Sequence, residues 1–329
     1  LAEMAGLSPW EFRYRNAVRR GQILPNGQIA DQSTAIVECL EAVKDVYESS
    51  PYAGIAAAFK NSGLGMGLKD IGRCILSVED GLVHVRTSAA CMGQGIATMC
   101  LTVLCQTTGL DPALAVHERP DTERTPDAGT STASKQTVIV GEAVRRASEK
   151  LKAELDKGLS LADLEGKEFY GEYSAITDPL GSQKPNPVSH VSYSYAVQVV
   201  ILNDEGKVEK VVAAYDVGTP VNLQSIEGQI EGGIVMGLGY ALTEDFIVEG
   251  GYPKTMLGTL GLMRSTDAPE LQVMLVRGKG KIPENYGAKG VGELCLIPTA
   301  PACSHAYYRY DGRFRTRLPL RDTYYKKDK

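Results

Sequence analysis

Apolar residues change their period several times along the chain, and each change predicts an element. Ser8-Pro9-Trp10-Glu11 reads as a capping box with proline at the first helical position, opening a helix through Arg20, and residues 1–6 already look helical. Over residues 31–47, Ile36, Val37, Leu40, Val43 and Val46 recur at helical spacing. Extended segments follow at 52–60, 71–79 and 82–87, the last two flanking Asp80-Gly81, a hairpin signal. A helix over 96–108, a strand over 114–118, a helix to Lys152 and a strand over 169–175 come next. Residues 191–202 and 208–215 then form a long hairpin over Asn203-Asp204-Glu205-Gly206, with Val191, Tyr193, Tyr195, Val197 and Val199 alternating as in a half-buried strand. A helix through 226–240, a hairpin region at 244–255, a strand at 271–277 and a helix from Pro298 to Asp311 complete the pattern.

Strands, then a Gly-Gln turn or helix, then more strands: the theme occurs twice. It predicts an α+β fold with two similar lobes of mixed β-sheet packed by helices, near residues 52–155 and 190–310. A helical entry segment at 1–50 precedes them, and a solvated tail at 313–329 follows.

Composition narrows the function. The 329 residues are 43% hydrophobic and 23% charged, with a net charge of −5, the balance of a soluble globular protein. Mild acidity without a basic stripe argues against a nucleic-acid partner. No apolar run is long enough to span a membrane and no signal peptide is present, which points to the cytoplasm. Seven cysteines without paired CxxC spacing, and four scattered histidines (His84, His117, His190, His305), match neither a disulfide framework nor a zinc or iron–sulfur site. No metal is therefore expected on protein side chains. Gly63-Leu64-Gly65-Met66-Gly67 lacks dinucleotide-fingerprint spacing and reads as a loop.

Four stretches carry candidate chemistry. In Gly287-Ala288-Lys289-Gly290-Val291-Gly292-Glu293, three glycines permit close backbone approach, and a carboxylate stands before the apolar Leu294-Cys295-Leu296-Ile297. Such a carboxylate is expected to be partly desolvated and so a useful base; a plain turn whose glutamate is solvated or caps a helix is the alternative. Met92-Gly93-Gln94-Gly95 sits directly before a helix, whose first N–H groups attract anions, and an ordinary strand-to-helix turn reads equally well. Residues 121–137 are dense in hydroxyls, suited to a polyanion or to a cap and loop. Finally, Gly228, Gly232, Gly233, Gly237 and Gly239 interrupt one helix, each forgoing about 1 kcal/mol of propensity relative to alanine. Close approach by another element or a bulky ligand has to compensate.

Taken in order, these motifs resemble the C-terminal half of the molybdenum-cofactor-binding subunit of the xanthine dehydrogenase/aldehyde oxidase family of molybdenum hydroxylases, over nearly the whole chain. The resemblance implies an enzyme subunit and a single molybdopterin-binding unit over 1–329. It assigns cofactor contacts to Gln94, Gly95, Ser131, Ala133, Ser134, Gln229 and Gly232, and matches the family's base at molybdenum to Glu293. Met236 and Lys135 stand where the family often has Gln and Arg. The family's first molybdenum domain would precede Leu1, so the resemblance implies a separate large molybdopterin subunit, as in the nicotinate dehydrogenases of anaerobic bacteria. It implies further that molybdopterin cytosine dinucleotide carries the metal with a terminal sulfido or selenido ligand, that [2Fe–2S] and FAD sit on partner subunits, and that electrons pass to NADP. The expected substrate is an N-heteroaromatic ring, nicotinate first, with Tyr286 as a slot residue. Purine or xanthine, aldehyde and carbon monoxide dehydrogenases and a hydroxybenzoyl-CoA reductase relative are the enzyme alternatives. A cofactor-free structural subunit is the non-enzyme one, and it would need neither Glu293 nor Gln94 and Gln229.

Overall fold

A computed structural model of the chain describes residues 1–326. Its elements are α1 (Pro9–Asn16), α2 (Ile36–Ala42), α3 (Lys44–Ser49), β1 (Ala53–Ser62), β2 (Asp70–Glu79), β3 (Leu82–Arg86), α4 (Ile96–Thr108), β4 (Ala115–His117), α5 (Gly141–Leu155) and β5 (Glu168–Ala175). They continue with β6 (Ser192–Leu202), β7 (Val208–Asp216), α6 (Leu223–Leu242), a two-residue ribbon of β8 (Val248–Glu249) and β9 (Tyr252–Pro253), β10 (Glu270–Val276) and α7 (Thr299–Asp311). The fold is α+β, as the patterning predicts.

Two four-stranded mixed sheets form, in the orders β1-β6-β7-β10 and β4-β3-β2-β5. Each is antiparallel with one parallel edge pair, β7 with β10 and β3 with β4. The larger sheet buries one face against α6 and α7, through Val200, Val211, Ile230, Ile234 and Ala302, and the other against α2, through Val197, Val199, Leu40 and Val43. The smaller sheet packs Leu76, Val78 and Val85 on α4 and α5. Its core face is carried by alternate residues such as Cys74, Leu76 and Val78 of β2, whereas β6 is buried along nearly its whole length.

The sheets do not follow the expected division at 52–155 and 190–310. β1 joins the larger sheet, with Ser62 opposite Ser192, and β5 joins the smaller one, with Asp70 opposite Ala175. Local periodicity identifies a strand but says nothing of its neighbour. Helix limits shift as well. α1 ends at Asn16, where the Arg19 guanidinium donates to the carbonyls of Tyr14 and Ala17. Residues 31–35 turn around Asp31, which accepts from the backbone and hydroxyl of Ser33, and the expected single helix breaks at Val43 into α2 and α3.

The C-terminal segment is docked, not solvated. Leu320 is buried and donates its N–H to Ala241 O, Tyr325 accepts from Val208 N–H at 3.1 Å, and Lys326 pairs with Asp245 at 2.8 Å. The last part of that expected tail, 327–329, lies outside the described residues.

Candidate active site

The glycine loop at 287–293 runs beside the end of β7. Gly218 and Ala288 form an antiparallel bridge, Thr219 N–H donates to Gly287 O, and Lys289 N–H donates to Val217 O, the last two at 2.9 Å. The Lys289 ammonium turns inward to Asp216 Oδ2 at 2.7 Å, with both side chains 1% exposed. Gly290 has both backbone groups satisfied by buried hydroxyls: its N–H by Ser62 Oγ at 2.9 Å and its carbonyl by Ser194 Oγ at 2.7 Å. Beyond Glu293, Cys295 O accepts from Gln198 Nε2 and the Tyr215 hydroxyl, each at 2.8 Å. The loop is thus fixed to β1, β6 and β7 rather than left as a surface turn.

A second loop faces it. Ala133 and Ser134 are both left-handed, with φ of 54° and 50°, a conformation that costs on the order of 1–3 kcal/mol for each non-glycine residue. The buried Lys135 holds it, through Asp70 Oδ1 at 2.7 Å and Ile71 O at 2.9 Å. The strained turn points at Glu293: Ala133 N–H donates to Oε1 at 3.1 Å, the Ser134 hydroxyl lies 3.4 Å from Oε2, and Ser134 Oγ accepts from Glu293 N–H at 3.1 Å. Lys60 Nζ, from the end of β1, is 2.8 Å from Oε2. The carboxylate is therefore not the desolvated group that its apolar neighbours suggest. Its side chain is 42% exposed and is held by an ammonium, a backbone N–H and a hydroxyl.

Between the loops opens a cavity of about 380 Å³ that gathers Gln94, Gly95, Ser131, Ser134, Gln229 and Glu293. Residues from four separated stretches thus meet in one place. Gln229 leans in from α6 and also borders a smaller adjoining hollow, and among the described residues its amide makes no hydrogen bond to the protein. Gln94 does the opposite. It accepts from Met92 N–H at 2.6 Å and donates to Ala90 O at 2.8 Å and Gln136 Oε1 at 2.7 Å, so it shapes its own loop while lining the cavity. That loop concentrates backbone N–H groups, and those of Gly93 first, then Ile96, Gly95 and Gln94, draw the Cys91 thiol below its ordinary pKa against the opposing effect of burial.

Other expected site residues fall elsewhere. Ala133 contributes its backbone to Glu293 and does not line the cavity. Gly232 and Gly228 lie on the open side of α6, where an added Cβ would meet nothing within 4 Å. Gly233 and Gly237, by contrast, press against Cys295 and Thr299, where a Cβ would come within 2.2 and 2.6 Å. Close approach thus accounts for two of the helix's glycines within this chain. Tyr286 is not a slot residue of this cavity: its hydroxyl meets Thr107 Oγ1 at 2.8 Å and its ring lies under Arg145. Met236 is exposed outside the cavity. Lys135 borders it, but the ammonium is turned away to Asp70.

Two residues that sequence reasoning passed over belong to the site. Gln136 bridges Gln94 to Ser131 Oγ, at 2.7 and 2.5 Å; its place in the hydroxyl-rich stretch was the available signal. Lys60 stands near the end of β1, and no local motif marks it.

One further cluster, Glu79, His84 and Glu118, brings three potential ligand atoms within 4.8 Å of one another. The Arg86 guanidinium fills it, 2.7 Å from Glu79 and 2.9 Å from Glu118. The Ser77 hydroxyl and then Arg86 hold the Glu79 carboxyl down at about 2, so the group is an ion-pair network.

Residues 48–162 and 159–269 match the molybdopterin cofactor-binding domain family, and the chain belongs to it. It corresponds to the C-terminal half of the molybdenum-binding subunits of the molybdenum hydroxylases. Over 97% of its length it is 25% identical to the putative xanthine dehydrogenase molybdenum-binding subunit of Escherichia coli (strain K12), covering 49% of that protein. It is 26% identical over 96% of its length to the 6-hydroxypseudooxynicotine dehydrogenase complex subunit gamma of Paenarthrobacter nicotinovorans, covering 47% of it. The solved aldehyde oxidoreductase from Desulfovibrio gigas superimposes with a TM-score of 0.82 at 26% identity, over 97% of this chain and 38% of that one. The chain thus spans about half the length, or less, of the relatives it matches.

The residues present fit such a cofactor. A flat, polar heteroaromatic with phosphates calls for unpaired amides, converging backbone N–H groups and a surface without side chains. Gln229 and the 92–95 loop supply the first two, and Gly290 and Gly292 line the cavity without a side chain.

Proposed function

We propose that this chain forms one wall of the molybdenum-cofactor site of a multi-subunit molybdenum hydroxylase, with Glu293 as the general base. The meeting of a held carboxylate, the unpaired Gln229 amide and the N-terminus of α4 around one cavity carries this reading. The cofactor, which we take to be molybdopterin cytosine dinucleotide bearing a terminal sulfido or selenido ligand, supplies the two-electron chemistry when bound. The chain's own part is orientation and proton movement. Gln229 and the N–H groups of the 92–95 loop bind and align, while Ser131 Oγ, already accepting from Gln136, keeps its proton for outward donation. Glu293, with Oε1 fixed by Ala133 N–H, would take the proton of a water-derived nucleophile.

For the whole enzyme we infer a nicotinate dehydrogenase, producing 6-hydroxynicotinate, in which this chain is the medium molybdopterin subunit. A large molybdopterin subunit, an iron–sulfur subunit with [2Fe–2S] and an FAD subunit complete it, with NADP as acceptor and the cytoplasm as location. The likeness to a dehydrogenase subunit named for a nicotine derivative supports an N-heteroaromatic substrate. The likeness to a xanthine dehydrogenase subunit favours a purine as the second reading. Among the described residues no helix is long and apolar enough to cross a membrane. Assay of the purified complex with nicotinate, xanthine, purine and an aromatic aldehyde separates these, with nicotinate expected to turn over fastest; faster xanthine turnover moves the protein to the purine hydroxylases.

Gln229→Ala and Gln94→Ala are expected to lower molybdenum content per complex while leaving turnover per bound metal near wild type. Gln229 acts by losing a free amide, and Gln94 by loosening the loop it ties together. Metal analysis beside activity is the check, and full occupancy in both variants would show that neither residue serves the cofactor.

A further inference from the structure

We propose that Lys60 is a positioning residue for the reaction: its ammonium keeps the Glu293 carboxylate aimed into the cavity. The proposal rests on the reading of Glu293 as the base.

Lys60 stands near the end of β1, opposite Ser194 on β6. Ser194 is the residue whose hydroxyl holds the Gly290 carbonyl at 2.7 Å. One strand pair therefore fixes both the loop that bears the base and the cation that faces it. Lys60 Nζ reaches Glu293 Oε2 at 2.8 Å and is steered by Asn61 Oδ1 at 2.9 Å. It does not line the cavity, so it approaches the carboxylate from behind, while Ala133 N–H holds the other oxygen at 3.1 Å. With each oxygen pinned by a different element, rotation of the carboxylate is blocked.

Charge is the second half of the argument. An ammonium at hydrogen-bond distance of a carboxylate makes a charge-assisted hydrogen bond that fixes the orientation of the oxygen it meets. Among the described residues Glu293 makes one salt bridge, and it is this one. The other charges on neighbouring elements are turned elsewhere: Lys135 to Asp70 and Lys289 to Asp216. His190, close to Lys60, is lowered below its ordinary pKa by burial and then by the Lys60 charge, so it stands neutral. From the 131–134 turn and from α6, Ser134 and Gln229 present only neutral groups.

The test compares Lys60→Met, Lys60→Gln and Lys60→Arg with wild type and Glu293→Gln in the assembled, cofactor-loaded complex. In the two neutral variants kcat should fall by roughly tenfold or more, because a carboxylate free to rotate is misaligned for proton transfer, while KM and molybdenum content stay near wild type. Lys60→Arg should restore kcat. A readout without turnover accompanies it: the infrared carboxylate band that Glu293→Gln removes should shift and broaden in Lys60→Met relative to wild type. Lys60→Gln, which keeps a donor for Oε2, decides the matter if Lys60→Met fails to assemble. A kcat near wild type and an unmoved band in a folded neutral variant overturn the proposal. Failure of the base reading looks different, since Glu293→Gln would then remain active whatever Lys60 does.

Discussion

Glu293→Gln is expected to leave the cofactor bound and to lower kcat by about 10²–10⁴-fold, the usual worth of a positioned general base. The substitution keeps the shape of the side chain and an oxygen for Ala133 N–H, and removes only the negative charge and the ability to take a proton. Folding should change little. The Lys60–Glu293 pair has its acidic partner 42% exposed, and pairs so open to water contribute about 0–1 kcal/mol. Molybdenum content and melting temperature near wild type, with turnover lost, is therefore the expected set. Activity within about tenfold of wild type at full molybdenum occupancy would remove Glu293 from the mechanism.

Gly290→Ala is expected to be the most damaging single-methyl change near the site. A Cβ there would stand 1.9 Å from Ser134 O, a backbone atom of the strained turn that has no room to retreat. Gly290 cannot yield either, because buried Ser62 and Ser194 hold its N–H and carbonyl. Relief has to come from separating the two loops, which breaks the contacts of Ala133 and Ser134 with Glu293. Overpacking of this kind destabilises by about 1–3 kcal/mol, and a displacement of a reacting group by an ångström lowers rates by about 10²-fold. Gly292→Ala is the matched control, since its added Cβ would sit 3.8 Å from Ser134 Oγ in ordinary contact. Thermal melts and kcat/KM for the two variants, side by side, decide the point. Equal behaviour would show that the loops are not locked as described.

Much of this was legible in the residues. The half-buried alternation of Val191 to Val199 yields β6, the turn at Asp80-Gly81 yields the β2–β3 hairpin, and the glycine-interrupted helix is continuous as α6. Gln94, Gly95, Ser131, Ser134, Gln229 and Glu293 come from stretches that each carry a chemical oddity, and they converge on one cavity. What escaped is long-range. Lys60 and Glu293 are contacts made by topology, and no short window records which strand end faces which loop. The apolar run after Glu293 suggested desolvation, yet Leu294 and Cys295 bury inward while the carboxylate is left at the surface. Tyr286 adjoins the glycine loop in sequence, but consecutive left-handed residues at 285 and 286 swing it toward α4 and α5. Asp245, Leu320 and Tyr325 explain the misjudged tail: a polar, lysine-rich composition hides a few anchors that dock it.

The placement of β1 bears on how the chain comes together. Pairing of β1 with β6 joins residues separated by more than a hundred others, and closing so long a loop is entropically unfavourable before any contact rewards it. Everything between leaves from Ser62 and returns to its neighbour Ser192. Within that excursion, Asp70 and Ala175 already lie side by side on β2 and β5. The smaller sheet is thus an insertion that ties its own entry to its own exit. With the insertion closed on itself, the gap left between β1 and β6 is short, and so is the loop whose closure their pairing costs. The site between the two loops thus depends on a long-range strand pairing as well as on the insertion that spans it.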